Sequence, residues 1–535
     1  MTPPSQVARR DVFRVAFVGA AVAASGAVSS AASPPAAASG PLLTTSTNMH
    51  LLRRLTYGPS PAAVAEIESS GPQGWLRAQL NPSVISDSVC AGYLARYPRL
   101  NWSIPQARAN LDGGAWDLMS DLGQATLLRM VWSRRQLFEV MVEFWSNHLN
   151  ITNPSSDVWD NRHDYDRTVI RAYALGKFSD LLWASATHPA MMRYLNNADS
   201  VPPDFNENYG RELLELHTVG VDAGYTEVDM RSSALIMSGF GVHDVWRPDG
   251  QPQDPKNGLF EYQPDNHYVG PVQVMGFTNP NPNQAGGFNV GKAYVSYLAH
   301  HPAAARRIAD KLVMRFISDD PMPKLSAALV KTYLAADTAI VPVLQQLFAS
   351  LEFRTHQGTK VKRPVEDLVS SCRTLSITPD PGSGTDGLQA LWWESDSLGH
   401  MPLAWPMPNG YSDVAVDWQS TNQTLERWNL HMALAGQWWP VANVDPKNPQ
   451  NTPMLQAPAL ASYLPSPLPT TYAAFVDAMA QRLVYQKMAP PARDAVVAFL
   501  GKTPSSALKS TDAAVTWKLP YVVALILDSV YHALR

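Results

Sequence analysis

Cysteine is nearly absent. Cys90 and Cys372 are the only two in 535 residues, which excludes a disulfide framework and matches no metal-ligand spacing. One bridge between them stays open at this level. Charge is sparse too: Asp, Glu, Lys and Arg make up 16% of the chain, with a formal net charge of −4. That leaves no basic field for a nucleic acid and no polybasic membrane patch. Beyond residue 40 no run is apolar enough to span a bilayer. A Gly-x-Ser-x-Gly elbow, a Walker loop, a dinucleotide fingerprint and a His-Glu-x-x-His pair are all missing. Proline (44) and tryptophan (16) are plentiful.

The first 40 residues have the three parts of an export signal. Arg9-Arg10-Asp11-Val12-Phe13 is a twin-arginine pair, Val15 to Val28 is a short apolar run, and small residues lead to Gly40. The expectation is a twin-arginine signal peptide over 1–40 and a mature protein that is periplasmic, cell-surface or secreted. The mature chain would have no integral membrane span.

From residue 45 the pattern is helical. Leu51-Leu52-x-x-Leu55 and Val64-x-x-Ile67 repeat at 3–4 spacing. Similar patterns cover 115–150, 166–198, 226–240, 290–317, 322–352 and 361–376. Ser60-Pro61, His188-Pro189 and His301-Pro302 read as helix starts, and Thr226-x-x-Asp229 reads as a capping box. Residues 241–290 break this rhythm with a Pro/Gly/Asn/Asp-rich insertion, where Phe260, Tyr262, Val272 and Val274 suggest a short hairpin. The fold class expected is mainly α. A multi-helix, bundle-like domain over 45–378 carries the 241–290 loop and hairpin insertion. A Pro/Trp-rich helical part over 388–535 packs on it.

Residues 206–220 hold the densest run of ionisable and amide side chains. At about 100° per residue, Asn208, Arg211, Glu212 and Glu215 share one stripe, while His217 falls on the far side. Two readings follow. Glu212 and Glu215 hold a divalent metal or share a proton for acid/base work, or they form a clamp with Arg211 and other arginines. His148 ends a helix beside Asn147 and is a further candidate ligand or catalytic group; the alternative is a satisfied core histidine. His267, followed by Gly270, is the insertion histidine best suited to line a cleft. Arg211, Asn208, His267 and Trp405 are the candidate substrate contacts. In Lys362-Arg363-Pro364, either the cations bind an anion or Arg363 pairs with Glu366 or the glutamate helix.

Seven tryptophans lie between Trp392 and Trp439. Their faces either stack on sugar rings or pack a core, and core packing is the expectation for Trp428, Trp438 and Trp439. Pro402 to Tyr411, with Trp405, is the better exposed aromatic loop.

Several motifs in order carry a family resemblance. They are Leu52 to Pro59, Phe144-Trp145-Ser146-Asn147-His148, Leu175-Gly176-Lys177-Phe178, His188-Pro189-Ala190-Met191, Asn206 to Gly220, His267-x-x-Gly270-Pro271, Lys362 to Glu366, and Pro408-Asn409-Gly410-Tyr411. With them the chain resembles the bacterial "domain of unknown function 1800" family. The resemblance implies an exported, largely helical protein and supplies no reaction. It departs at Ser146, Tyr268 and Val272, where relatives often carry His, Asp and Lys. The function expected is a metal- or carboxylate-dependent enzyme acting on a cell-envelope or extracellular polymer. The alternative is a non-catalytic protein that binds envelope polysaccharide, or another exported protein, and uses the glutamate helix structurally.

Overall fold

Apolar residues at 3–4 spacing do build helices here, and local capping chemistry sets where many of them start. The computed structural model describes residues 42–244, 254–441 and 454–535. The expected signal peptide lies outside the described residues. Ser60 caps the Pro61–Leu80 helix through Ala63 N, and Thr226 and Asp229 form the expected capping box. His188 and His301 each cap a helix that opens on proline, their Nδ1 atoms accepting from Ala190 N and Ala303 N.

The long pattern over 115–150 is two helices, Asp117–Trp132 and Gln136–His148. Asp87 makes the break: its carboxylate accepts from Ser133 Oγ at 2.7 Å and Arg134 N at 2.8 Å. The 290–317 pattern likewise divides into Gly287–His300 and Pro302–Phe316.

Among its described residues the insertion holds two small antiparallel pairs rather than one hairpin. Strand β1 (Phe240–Val242) pairs with β2 (Phe260–Tyr262), and β3 (Val272–Val274) pairs with β4 (Phe277–Asn279). Met275 and Gly276, both at positive φ, make the two-residue turn between β3 and β4. The fold is mainly α. Pro41–Arg535 pack as one unit around a continuous apolar core that includes Trp145, Phe178, Leu213, Tyr294, Leu368 and Trp392.

Cys90 and Cys372 are both free, buried thiols, so no bridge joins them. No helix among the described residues is long and apolar enough to cross a membrane.

Candidate functional site

The 206–220 segment is not one regular helix. An α-helical turn, Asn208–Glu212, runs into a π-helical turn, Leu213–His217. Thr218 Oγ1 donates to Leu213 O at 2.6 Å, holding the carbonyl five residues back. The extra residue per turn ends the simple angular argument at Leu213. Arg211 reaches Glu215 at 3.6 Å and Glu227 at 3.1 Å. These pairs are partly exposed, so this is a surface network and not a buried clamp. Burial, and then the neighbouring Glu215 charge, raise the Glu212 carboxyl above its ordinary value. Asn208 opens the turn, its N–H donating to Asn206 Oδ1.

His148 is buried in an aromatic nest of Trp145 and Phe178. Its Nε2 lies 2.9 Å from His217 O, and Lys311 Nζ lies 3.2 Å from its Nδ1. Both ring nitrogens are therefore engaged, and neither by a glutamate. The surroundings are cationic. Burial and Arg307 push Lys311 down to about 8. Burial, Arg307 and Lys311 push His217 down to about 3. His267 meets an acceptor oxygen at each ring nitrogen, Ser238 O at 2.8 Å and Asn281 Oδ1 at 2.9 Å, and is 2% exposed. It pins the insertion and does not line a cleft. Of the positions that depart from the resemblance, Val272 is buried in β3 and the Tyr268 ring meets Phe205 edge-on. Ser146 Oγ is buried without a hydrogen-bond partner. It borders a cavity of about 20 Å³ that Glu139, Glu143, Asp166 and His400 also line.

The buried clamp exists, but elsewhere. Arg363 forks onto Glu143 at 2.9 and 2.8 Å and reaches Glu366 at 3.1 Å. Arg315 and Arg535 each reach Glu366 Oε1 at 2.6 Å. Asp413 accepts from Arg315 and Arg363 at 3.2 and 3.3 Å. Lys362 forms no ion pair with this cluster; its Nζ donates to Ser370 Oγ at 2.7 Å, and Asp367 and Glu366 act on it electrostatically.

Asn147 ties the cluster to the 408–411 loop. Its Nδ2 donates to Glu143 at 2.6 Å, and its Oδ1 accepts from Tyr411 N at 3.1 Å. Several of the motif segments read from sequence thus meet at one buried charge cluster.

A groove of about 440 Å³ opens beside that loop. Trp116, Pro154, Trp393, Asp396, Met401 and Pro406 are among its lining residues. Trp116 is 54% exposed and Trp393 is 44% exposed, whereas the adjacent Trp392 is 1% exposed. Trp405 is half-buried, with Nε1 donating to Asn409 Oδ1 at 2.7 Å and its ring 5.2 Å from Tyr411. It braces the loop that forms the groove wall. Tyr194 donates to Pro406 O at 2.8 Å, and Glu212 lies close enough to act on the Tyr194 hydroxyl electrostatically. The expectation of core packing fails for Trp428, Trp438 and Trp439, which are about half exposed, and holds for Trp392 and Trp418. Sequence reasoning missed Trp116, which lies far from the tryptophan-rich stretch.

It also missed a group of metal-ligand type. Asp367, His431 and His532 bring ligand atoms within 4.8 Å of one another, and all three side chains are buried.

No curated protein and no solved structure matches the chain. A family model described as "Protein of unknown function (DUF1800)" matches residues 50–533. That is nearly the whole chain, and the protein belongs to this family.

Proposed function

We propose that this is an exported protein that binds a polysaccharide of the cell envelope or extracellular space along the Trp116–Trp393 groove. The observation that carries the reading is that two tryptophans lining one groove, Trp116 and Trp393, stay 54% and 44% exposed. Exposing large aromatic faces to water is unfavourable, and such faces clustered in a concavity mark a binding surface. A pyranose ring offers a flat C–H face to an indole and hydroxyls to neighbouring acceptors. Asp396 supplies a carboxylate for those hydroxyls within the same lining. Export rests on the twin-arginine pattern at Arg9-Arg10. The low net charge agrees with a neutral polymer rather than a nucleic acid.

The test is co-sedimentation of the mature chain with insoluble cell-envelope and extracellular polysaccharides. Retention that Trp393→Ala abolishes, with the melting temperature kept, supports the reading. Equal retention of both proteins removes the groove from the account.

One observation favours a second reading, carboxylate-dependent cleavage of the bound polymer. The Glu212 carboxyl has a raised pKa and neighbours Tyr194, which bonds the groove wall. A carboxyl raised above its ordinary value is suited to protonating a leaving oxygen. Under this reading Glu212→Gln removes turnover and leaves binding unchanged. The divalent-metal version at Glu212, Glu215 and His148 has less support: Arg211 already pairs with Glu215, and both His148 nitrogens are engaged.

A further inference from the structure

We propose that Asp367, His431 and His532 form a structural site for a divalent cation, with zinc the best match. The three residues come from three helices: Pro364–Thr374, Thr421–Ala435 and Val530–Ala533. None is more than 3% exposed.

Both imidazoles turn Nε2 toward one carboxylate. His431 Nε2 lies 3.1 Å from Asp367 Oδ2, and His532 Nε2 lies 3.3 Å from Asp367 Oδ1. The two rings stand 5.4 Å apart and nearly perpendicular, at 86°. These are ion-pair contacts, but His431 Nε2 and Asp367 Oδ1, both buried, lack hydrogen-bond alignment. A cation between them would engage the atoms that these contacts leave poorly aligned.

The outer contacts fit the same assignment. Asp528 Oδ1 lies 2.8 Å from His431 Nδ1. A carboxylate on the far nitrogen of an imidazole fixes the tautomer so that Nε2 presents its lone pair, which is how metal-bound histidines are commonly held. Ser371 Oγ, 3.0 Å from His532 Nε2, stands beside the site as a hydroxyl that could complete the ligand set or orient a bound water.

Two carboxylates, Asp367 and Asp528, face a dication and two imidazoles there, with Lys362 and Arg427 as neighbouring cations. Two nitrogens and one oxygen form a donor set for zinc or a similar borderline ion rather than calcium or magnesium. The burial of all three ligands leaves no open face for substrate. The ion would clip the C-terminal Val530–Ala533 turn to two helices of the main body, coupling binding to folding and releasing any proton carried by the imidazoles.

The experiment uses the full mature chain, purified without chelator. Elemental analysis should find about one zinc per chain. Chelator-treated protein should regain its melting temperature on adding one equivalent of zinc, and cobalt should give visible d–d absorption at the same stoichiometry. Asp528→Asn should weaken zinc binding by roughly 10- to 100-fold, and His431→Gln and His532→Gln should abolish the cobalt spectrum. If those histidine variants do not fold, the wild-type titration and the Asp528→Asn isotherm still decide. The proposal is overturned by wild-type protein that takes up neither ion and melts identically with chelator or zinc. It is also overturned if cobalt binding is undiminished in a folded His431→Gln variant.

Discussion

Glu143 and Arg363, 220 residues apart in sequence, form a two-pronged ion pair with N–O distances of 2.9 and 2.8 Å inside the protein. Glu143 is 8% exposed and Arg363 is 1% exposed. Removing either partner leaves a buried charge that must share its remaining partners, Glu366 and Asp413 for Arg363 and Arg315 for Glu143. Glu143→Ala and Arg363→Ala should each cost about 3–5 kcal/mol of stability. The double variant should cost less than the sum by about 0.5–3 kcal/mol. Urea unfolding of the four proteins measures this, and additive losses would show that the pair is not coupled.

Asp413 makes the same cluster sensitive to acid. Burial works against its ionisation, but Arg363, Arg315 and Lys360 outweigh burial and hold it down to about 2, against 3.8 ordinarily. A carboxyl whose folded value is depressed stabilises the fold at pH values above its unfolded value. That stabilisation drains away as pH falls from about 4 through 2. Asp413→Asn should therefore cost about 2 kcal/mol at pH 7, and the difference from wild type should shrink toward zero near pH 2. Denaturant unfolding at a series of pH values checks the slope; a cost independent of pH would assign the loss to packing.

Gly410 holds the groove-side loop against the helix that carries Glu143. Its φ is +71°, and a Cβ there would sit far inside van der Waals contact with the Asn147 backbone. Both the left-handed conformation and the close approach require glycine. Gly410→Ala should cost about 2–4 kcal/mol, visible as a lowered urea midpoint, whereas Gly382→Ala should cost much less. Gly382 also has positive φ, but nothing lies within 4 Å of its added Cβ.

Much of the fold was legible because helix periodicity and capping are local. Ser60-Pro61, His188-Pro189 and the Thr226–Asp229 box announce helix starts within four residues. The break at Ser133 was not legible, because the group that makes it is Asp87, 46 residues earlier. The glutamate segment was correctly singled out as unusual, yet its π turn depends on Thr218 taking the Leu213 carbonyl, which angular arithmetic on a regular helix cannot anticipate. The Arg363–Glu366 pair was expected from sequence, but Glu143, Arg315 and Arg535, which complete the buried clamp, were not, and the Arg211–Glu215 pair lies at the surface. Of its partners only Arg363–Glu366 has helical spacing. The groove unites Trp116 with Trp393, and the candidate cation site unites residues 367, 431 and 532. No sequence period links members so far apart.

Polysaccharide binding at Trp116 and Trp393 is measured by calorimetric titration of the protein with soluble oligosaccharides from any polymer that retains it. Trp116→Ala and Trp393→Ala should each weaken binding at least about tenfold, a loss of about 1.4 kcal/mol, in proteins that stay folded, since both side chains are about half exposed. Affinity that survives the double substitution in a folded protein would contradict the account.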